Sequence, residues 1–162
     1  MSRPIPFALA TALAVGCANA ASAAEPVSAT TACPADRKAL AALLKPLQVE
    51  HKWDDPEEPT PDFRHYKPGA LRVLGLAPDD VFVELSGGKP VGVTFRFSGR
   101  ELRPLEPGFQ AAYPTAKCGS AQGCAVDPRG SESRSGELVL ASIAPGDSEF
   151  LGATMSCRYR VD

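Results

Sequence analysis

The chain has little of what most enzyme chemistry needs. It contains one Trp, two His and two Met in 162 residues. No G-x-S-x-G elbow occurs, which removes the usual signature of serine hydrolases. No P-loop or G-x-G-x-x-G marks a phosphate cradle; Ser86-Gly87-Gly88 reads as a turn. The C-x-x-C spacing of a thiol oxidoreductase is absent. His51 and His65 are not spaced as an H-x-x-x-H pair, and the acids near them do not follow a calcium-loop pattern. No cofactor or metal is therefore expected. Seventeen basic residues stand against nineteen acidic ones, for a net charge of −2, with no basic stripe to hold nucleic acid. No apolar run reaches the roughly 20 residues of a membrane-spanning helix. A pair of carboxylates meeting in space needs no motif, so a carboxylate-based hydrolase is the enzymatic alternative. The reading favoured here is non-enzymatic.

What is present begins with an address. Residues 1–24 read as a signal peptide: Arg3 supplies the positive end, Phe7 to Val15 the apolar stretch, and small residues follow. Cleavage is expected after Ala23 or Ala24, leaving residues 25–162 as one exported domain. A rival lies in Leu13-Ala14-Val15-Gly16-Cys17, a lipobox-like run in which Cys17 would carry the lipid. The expected location is periplasmic or secreted, with a membrane-anchored lipoprotein facing the periplasm as the alternative. Apart from Cys17, four cysteines remain: Cys33, Cys118, Cys124 and Cys157. An even count in an oxidising compartment reads as two disulfides. Cys118-Gly119-Ser120-Ala121-Gln122-Gly123-Cys124 is short enough to close on itself, which leaves Cys33 for Cys157.

The clearest structural stretch is Val81 to Phe97. Val81, Val83 and Leu85 alternate on one run and Val91, Val93, Phe95 and Phe97 on the other, about a Gly87-Gly88 turn. Phe82 is the apolar exception on the polar side. Leu40, Leu43, Leu44 and Leu47 form a helical stripe on a segment from Ala35 to about Leu44 or Leu47, opened by Pro34 and closed by Pro46. Ala70 to Leu76, Glu137 to Ala144 and Glu149 to Val161 read as further strands. The last places Leu151, Ala153, Met155, Cys157, Tyr159 and Val161 on the core side. Glu50 to Pro68 is rich in proline and acids and reads as irregular; residues 101–136 read as a long loop region. The fold expected is α+β: one N-terminal helix packed on an antiparallel β-sheet of four to five strands, disulfide-braced.

Function is read from the loops. The Cys118–Cys124 ring is the first candidate partner-binding surface, through Gly119, Ser120, Ala121, Gln122 and Gly123, because a braced loop loses less entropy on docking. Trp53, Phe63 and Tyr66 form the second, as aromatic anchors among polar residues. The ring resembles, in a general way, the disulfide-braced loops of bacterial lysozyme inhibitors. No surrounding residue extends that likeness, so nothing is carried over from it. The expected function is an exported, non-catalytic envelope protein that binds a protein partner in an inhibitor- or immunity-like manner. The alternative is a structural or assembly lipoprotein of the bacterial envelope.

The two export routes predict different mature ends. N-terminal sequencing of the exported chain is expected to start at Ala24 or Glu25, with no fatty-acid label incorporated. A label that disappears in a Cys17→Ala variant would establish the lipid anchor instead.

Overall fold

The computed structural model describes residues 32–53, 62–119, 122–128, 137–147 and 150–161, and of residues 51–53 the backbone alone. The signal peptide and Cys17 lie outside the described residues.

The expected four- or five-stranded sheet under one helix is overturned. The chain forms one eight-stranded antiparallel sheet with two short helices, and is mostly β. In chain order the elements are α1 (Arg37–Leu44), β1 (Gln48–Trp53), β2 (Asp62–Lys67), β3 (Asp80–Ser86), β4 (Lys89–Ser98), α2 (Glu106–Ala112), β5 (Lys117–Gly119), β6 (Gly123–Val126), β7 (Leu138–Pro145) and β8 (Gly152–Tyr159). The strand order is β1-β2-β3-β4-β8-β7-β6-β5. Two four-stranded meanders are thus joined where β4 pairs β8.

The β3–β4 hairpin forms as the alternation requires. Ser86 pairs Lys89 across a two-residue turn, and Gly87 and Gly88 take φ of 56° and 74°. Two successive positive φ angles make the hairpin turn whose twist matches the strands, and only glycine adopts them without cost. Val81, Val83, Leu85, Val93, Phe95 and Phe97 are buried together. Phe95 and Phe97 are fully enclosed.

Further expectations are corrected by how these segments pair and pack. Glu50 to Pro68 is not irregular at its ends, where β1 and β2 pair from Gln48↔Lys67 to Trp53↔Phe63. Residues 70–76 are not a strand; Leu74 and Gly75 take φ of 51° and 81°, and only the isolated bridge Val73↔Leu76 forms. The segment is apolar because Leu71 and Val73 plug the core. The 101–136 region holds α2 and the β5–β6 hairpin. Pro107 sits in the first turn of α2, where its missing N–H costs nothing. On β8 the alternation holds from Ala153 to Tyr159 but fails at its ends, for Leu151 and Val161 are exposed.

Helix α1 is capped by Asp36, whose carboxylate accepts from Ala39 N at 2.7 Å. Pro34 therefore lies before the helix rather than inside it. Leu40 and Leu44 are buried against the sheet, while Leu43 and Leu47 pack at the margin. The N-terminal end of α1 is held from several sides. Cys33 is disulfide-bonded to Cys157 on β8. Tyr113 Oη accepts from Cys33 N, and Tyr159 Oη donates to Pro34 O, both at 3.0 Å. Burial pushes the pKa of both tyrosines up, so these hydroxyls stay protonated. Glu137 accepts from Arg37 N at 2.6 Å and pairs its guanidinium at 3.2 Å. No helix among the described residues is long and apolar enough to cross a membrane.

The Glu137 contact makes stability depend on pH. The backbone bond from Arg37, with help from its side chain, holds the Glu137 carboxyl below its usual value. A depressed folded-state pKa adds stability that is complete above the unfolded-state pKa and is lost as pH falls through the folded one. Glu137→Gln is expected to melt below wild type at neutral pH. Melting curves recorded below the ordinary carboxylate range should show that gap closed; a gap that persists in acid would mean the charge is not what matters.

Candidate functional site

The two surfaces read from sequence sit at opposite edges of the sheet and cannot form one site. The Cys118–Cys124 ring is the β5–β6 hairpin at one edge, with the disulfide bridging a directly opposed pair. The β1–β2 aromatics lie at the other edge.

The hairpin ring divides into tip and base. Lys117, Cys118, Gly119 and Gln122 are exposed, and Gln122 N donates to Gly119 O at 3.2 Å to close the turn. Ser120 and Ala121 lie outside the described residues. Gly123 is not a contact residue. It is buried at φ 78°, and a Cβ there would stand 2.0 Å from Ile143 O. This glycine lets β6 dock on β7.

At the other edge, strand alternation separates the aromatics. Tyr66 is buried in the core beside Val81, so it is withdrawn as a surface anchor. Phe63, three residues earlier, points to the opposite, outer face and is 43% exposed. Trp53 pairs Phe63 in register, and its side chain lies outside the described residues.

The outer face around Phe63 carries a band that composition alone did not reveal. The register places His65, Phe82, Thr94 and Ser156 side by side across β2, β3, β4 and β8. His65 stacks on Phe82 with ring centroids 4.6 Å apart and planes within 4°. The Arg96 guanidinium lies 4.4 Å from the Phe82 centroid and 4.9 Å from that of Phe150, in the β7–β8 loop. Arg96 also approaches Asp147 at 3.7 Å. Both ring nitrogens of His65 face carboxylates: Nε2 is 2.7 Å from Asp80 Oδ1 and Nδ1 is 3.3 Å from Glu50 Oε2. Glu50 reaches it because the β1–β2 register slips between Val49 and His51, a bulge that re-aims the carboxylate. Lys67 pairs the other Glu50 oxygen at 3.5 Å. Beyond Phe150, Leu151 stands 85% exposed.

The band is an arrangement for contact. His65 is engaged by acids on both sides, and among the described residues no cluster of three His, Cys, Asp or Glu side chains suits a metal ion. Of the acids near the two histidines in sequence, Asp54 and Asp55 lie outside the described residues. The groove beside the band is shallow, about 50 Å³, and lies over Gly92 between Phe63, Glu84 and Arg158. Phe63, and Phe82 as the exception on the polar side of its hairpin, were the sequence signals that pointed here.

No protein-family model, curated protein or solved structure matches the chain.

The inner face of β2 holds one anomaly. Arg64 pairs with Val83 in register, on the face that otherwise carries the core. Its Nε is buried and has no hydrogen-bond partner among the described residues. Such a donor costs about 1–3 kcal/mol relative to one that is satisfied.

The two glycines of the ring make opposite predictions. Gly123→Ala combines a left-handed backbone with a collision against β7, and should cost about 2–4 kcal/mol. Gly119→Ala meets nothing closer than Gln122 at 3.9 Å and should leave the denaturation midpoint nearly unchanged. Urea titrations of both variants check the pair.

Proposed function

We propose that the chain is an exported, non-catalytic binding module of the bacterial envelope, and that its partner is a protein. The observation that carries this reading is the outer-face band of Phe63, His65, Phe82, Arg96 and Phe150, which ends at the exposed Leu151. Aromatic residues with Arg at their centre are the composition of interface hot spots. The band is also fixed in advance. The His65–Phe82 and Arg96–Phe82 contacts set side-chain conformations before a partner arrives, which lowers the entropy lost on binding. Two disulfides fit an oxidising compartment, and the signal peptide read from residues 1–24 agrees. The role is inhibitor- or immunity-like in the sense that a small rigid surface blocks or holds another protein. The hairpin ring, with Gly123 committed to packing, becomes the second surface.

The experiment is affinity capture from envelope extract with the oxidised exported chain as bait and its reduced, alkylated form as control. A partner held by the oxidised bait is expected to be retained by Gln122→Ala and lost from Phe63→Asp and Arg96→Glu. Either of the latter should weaken binding roughly thirtyfold or more, the effect of removing a hot spot worth about 2 kcal/mol. Loss on Gln122→Ala with the band variants unaffected would move the surface to the hairpin. Equal capture by oxidised and reduced bait would end the reading.

A further inference from the structure

The inner face of the sheet opens beside the C-terminal end of α1. Between the C-terminal end of α1 and strands β1 to β3 lies a groove of about 410 Å³. Leu44, Leu47, Val49 and Leu85 line it with apolar side chains, together with Tyr66, Arg64 and Lys45. Arg64 shares its face with Tyr66, since the two are separated by one residue on β2. Its Nε is buried, with no hydrogen-bond partner among the described residues. It enters no ion pair among the described residues, Asp62 two positions back on the same face included. No carboxylate appears among the described residues that line the groove.

A half-exposed guanidinium with one N–H withdrawn from water and left unmatched among the described residues is complementary to an oxyanion. The edge of a guanidinium presents parallel N–H donors spaced for the two oxygens of a carboxylate. The walls say what that carboxylate is attached to. A peptide would bring backbone N–H and C=O groups that leucine, valine and proline side chains cannot satisfy, whereas an alkyl chain brings none. On the scale of the roughly 150 Å³ cavity that takes up benzene, the groove has room for a chain of about ten carbons and its head group. We propose that this groove binds a free medium-chain alkyl carboxylate, with its chain along Leu44, Leu47 and Leu85 and its carboxylate on Arg64. The site is independent of the outer-face band, because β2 directs Arg64 and Tyr66 to one side of the sheet and Phe63 and His65 to the other.

Decanoate, kept below its micelle threshold, is the probe, titrated calorimetrically into the whole exported chain with its disulfides intact. The expected result is saturable binding at one site, with decanol and acetate each weaker by roughly tenfold or more, because one lacks the charge and the other the chain. Arg64→Met should weaken decanoate by roughly tenfold or more while melting no lower than wild type, since it removes an unsatisfied donor. Val49→Glu, at a position 43% exposed, places a competing carboxylate at the same groove and should weaken decanoate likewise. It decides the matter if Arg64→Met does not fold. Decanol binding as tightly as decanoate, unchanged affinity in the folded variants, or no saturable binding would each overturn the proposal. Tighter binding of acetyl-leucyl-leucine would overturn the assignment of an alkyl chain.

Discussion

The pairing of β4 with β8, from Gly92↔Arg158 to Ser98↔Gly152, is the constraint on which the remaining architecture rests. Each meander is local, since its strands pair with their neighbours in the chain. Only this seam joins strands distant in sequence, and it must close a long loop before its contacts repay the entropy. Its residues are suited to that task. Phe95 faces Met155, Val93 faces Cys157 and Phe97 faces Ala153, all buried on the inner face. Thr94 and Ser156 hydrogen-bond at 3.0 Å on the outer one. The Cys33–Cys157 bridge ties the start of α1 to the same seam across 124 residues. In the chain-entropy account a loop of that length is worth about 4–5 kcal/mol. The helix is therefore attached where the sheet is most deeply buried, and its far end alone is left to define the groove beside Arg64.

How far the fold could be read from the chain depended on where each segment's information lies. The β3–β4 hairpin carries its own: alternation fixes the faces and Gly87-Gly88 fixes the turn. The core side of β8 and the stripe of α1 were legible for the same reason. β1 and β2 were not, because QVEHKW and DFRHYK place charged residues on both faces and lie on either side of a proline- and acid-rich run. Their strand character comes from pairing with each other and, for β2, with β3, which no local window contains. Residues 70–76 misled in the opposite sense, since an apolar composition there serves to plug the core and Leu74-Gly75 bends the chain back. α2 was hidden by Pro107 and Gly108, yet Phe109 buries fully and holds the helix against the core. The disulfide-bonded state was legible from the even cysteine count and the spacing of Cys118 and Cys124. Of the surface residues, Phe63 was identified from composition, while the stack beside it depended on register.

Strand β2 shows how one short segment can serve two unlike surfaces. A period of two sends Phe63 and His65 outward and Arg64 and Tyr66 inward. A slip of one residue would exchange the sets, burying His65 and exposing Tyr66. That error is opposed from both sides. Toward β3, Tyr66↔Val81 and Arg64↔Val83 set inward residues beside core valines. Toward β1, the bulge at Glu50 brings a carboxylate to His65 and Lys67 together, contacts that a shifted strand would lose. The position of β2 also explains why an arginine is tolerated on the core face. It lies one strand from the sheet edge, where the groove meets solvent and the guanidinium is only partly enclosed. Deeper, in the same register row, stand Val83, Val93 and Cys157, and a charge there would be withdrawn from water with no partner at all. The inner face is thus graded from a dry seam at its centre to a half-open cationic pocket near its margin, and the margin is where a ligand can enter without unpacking the core.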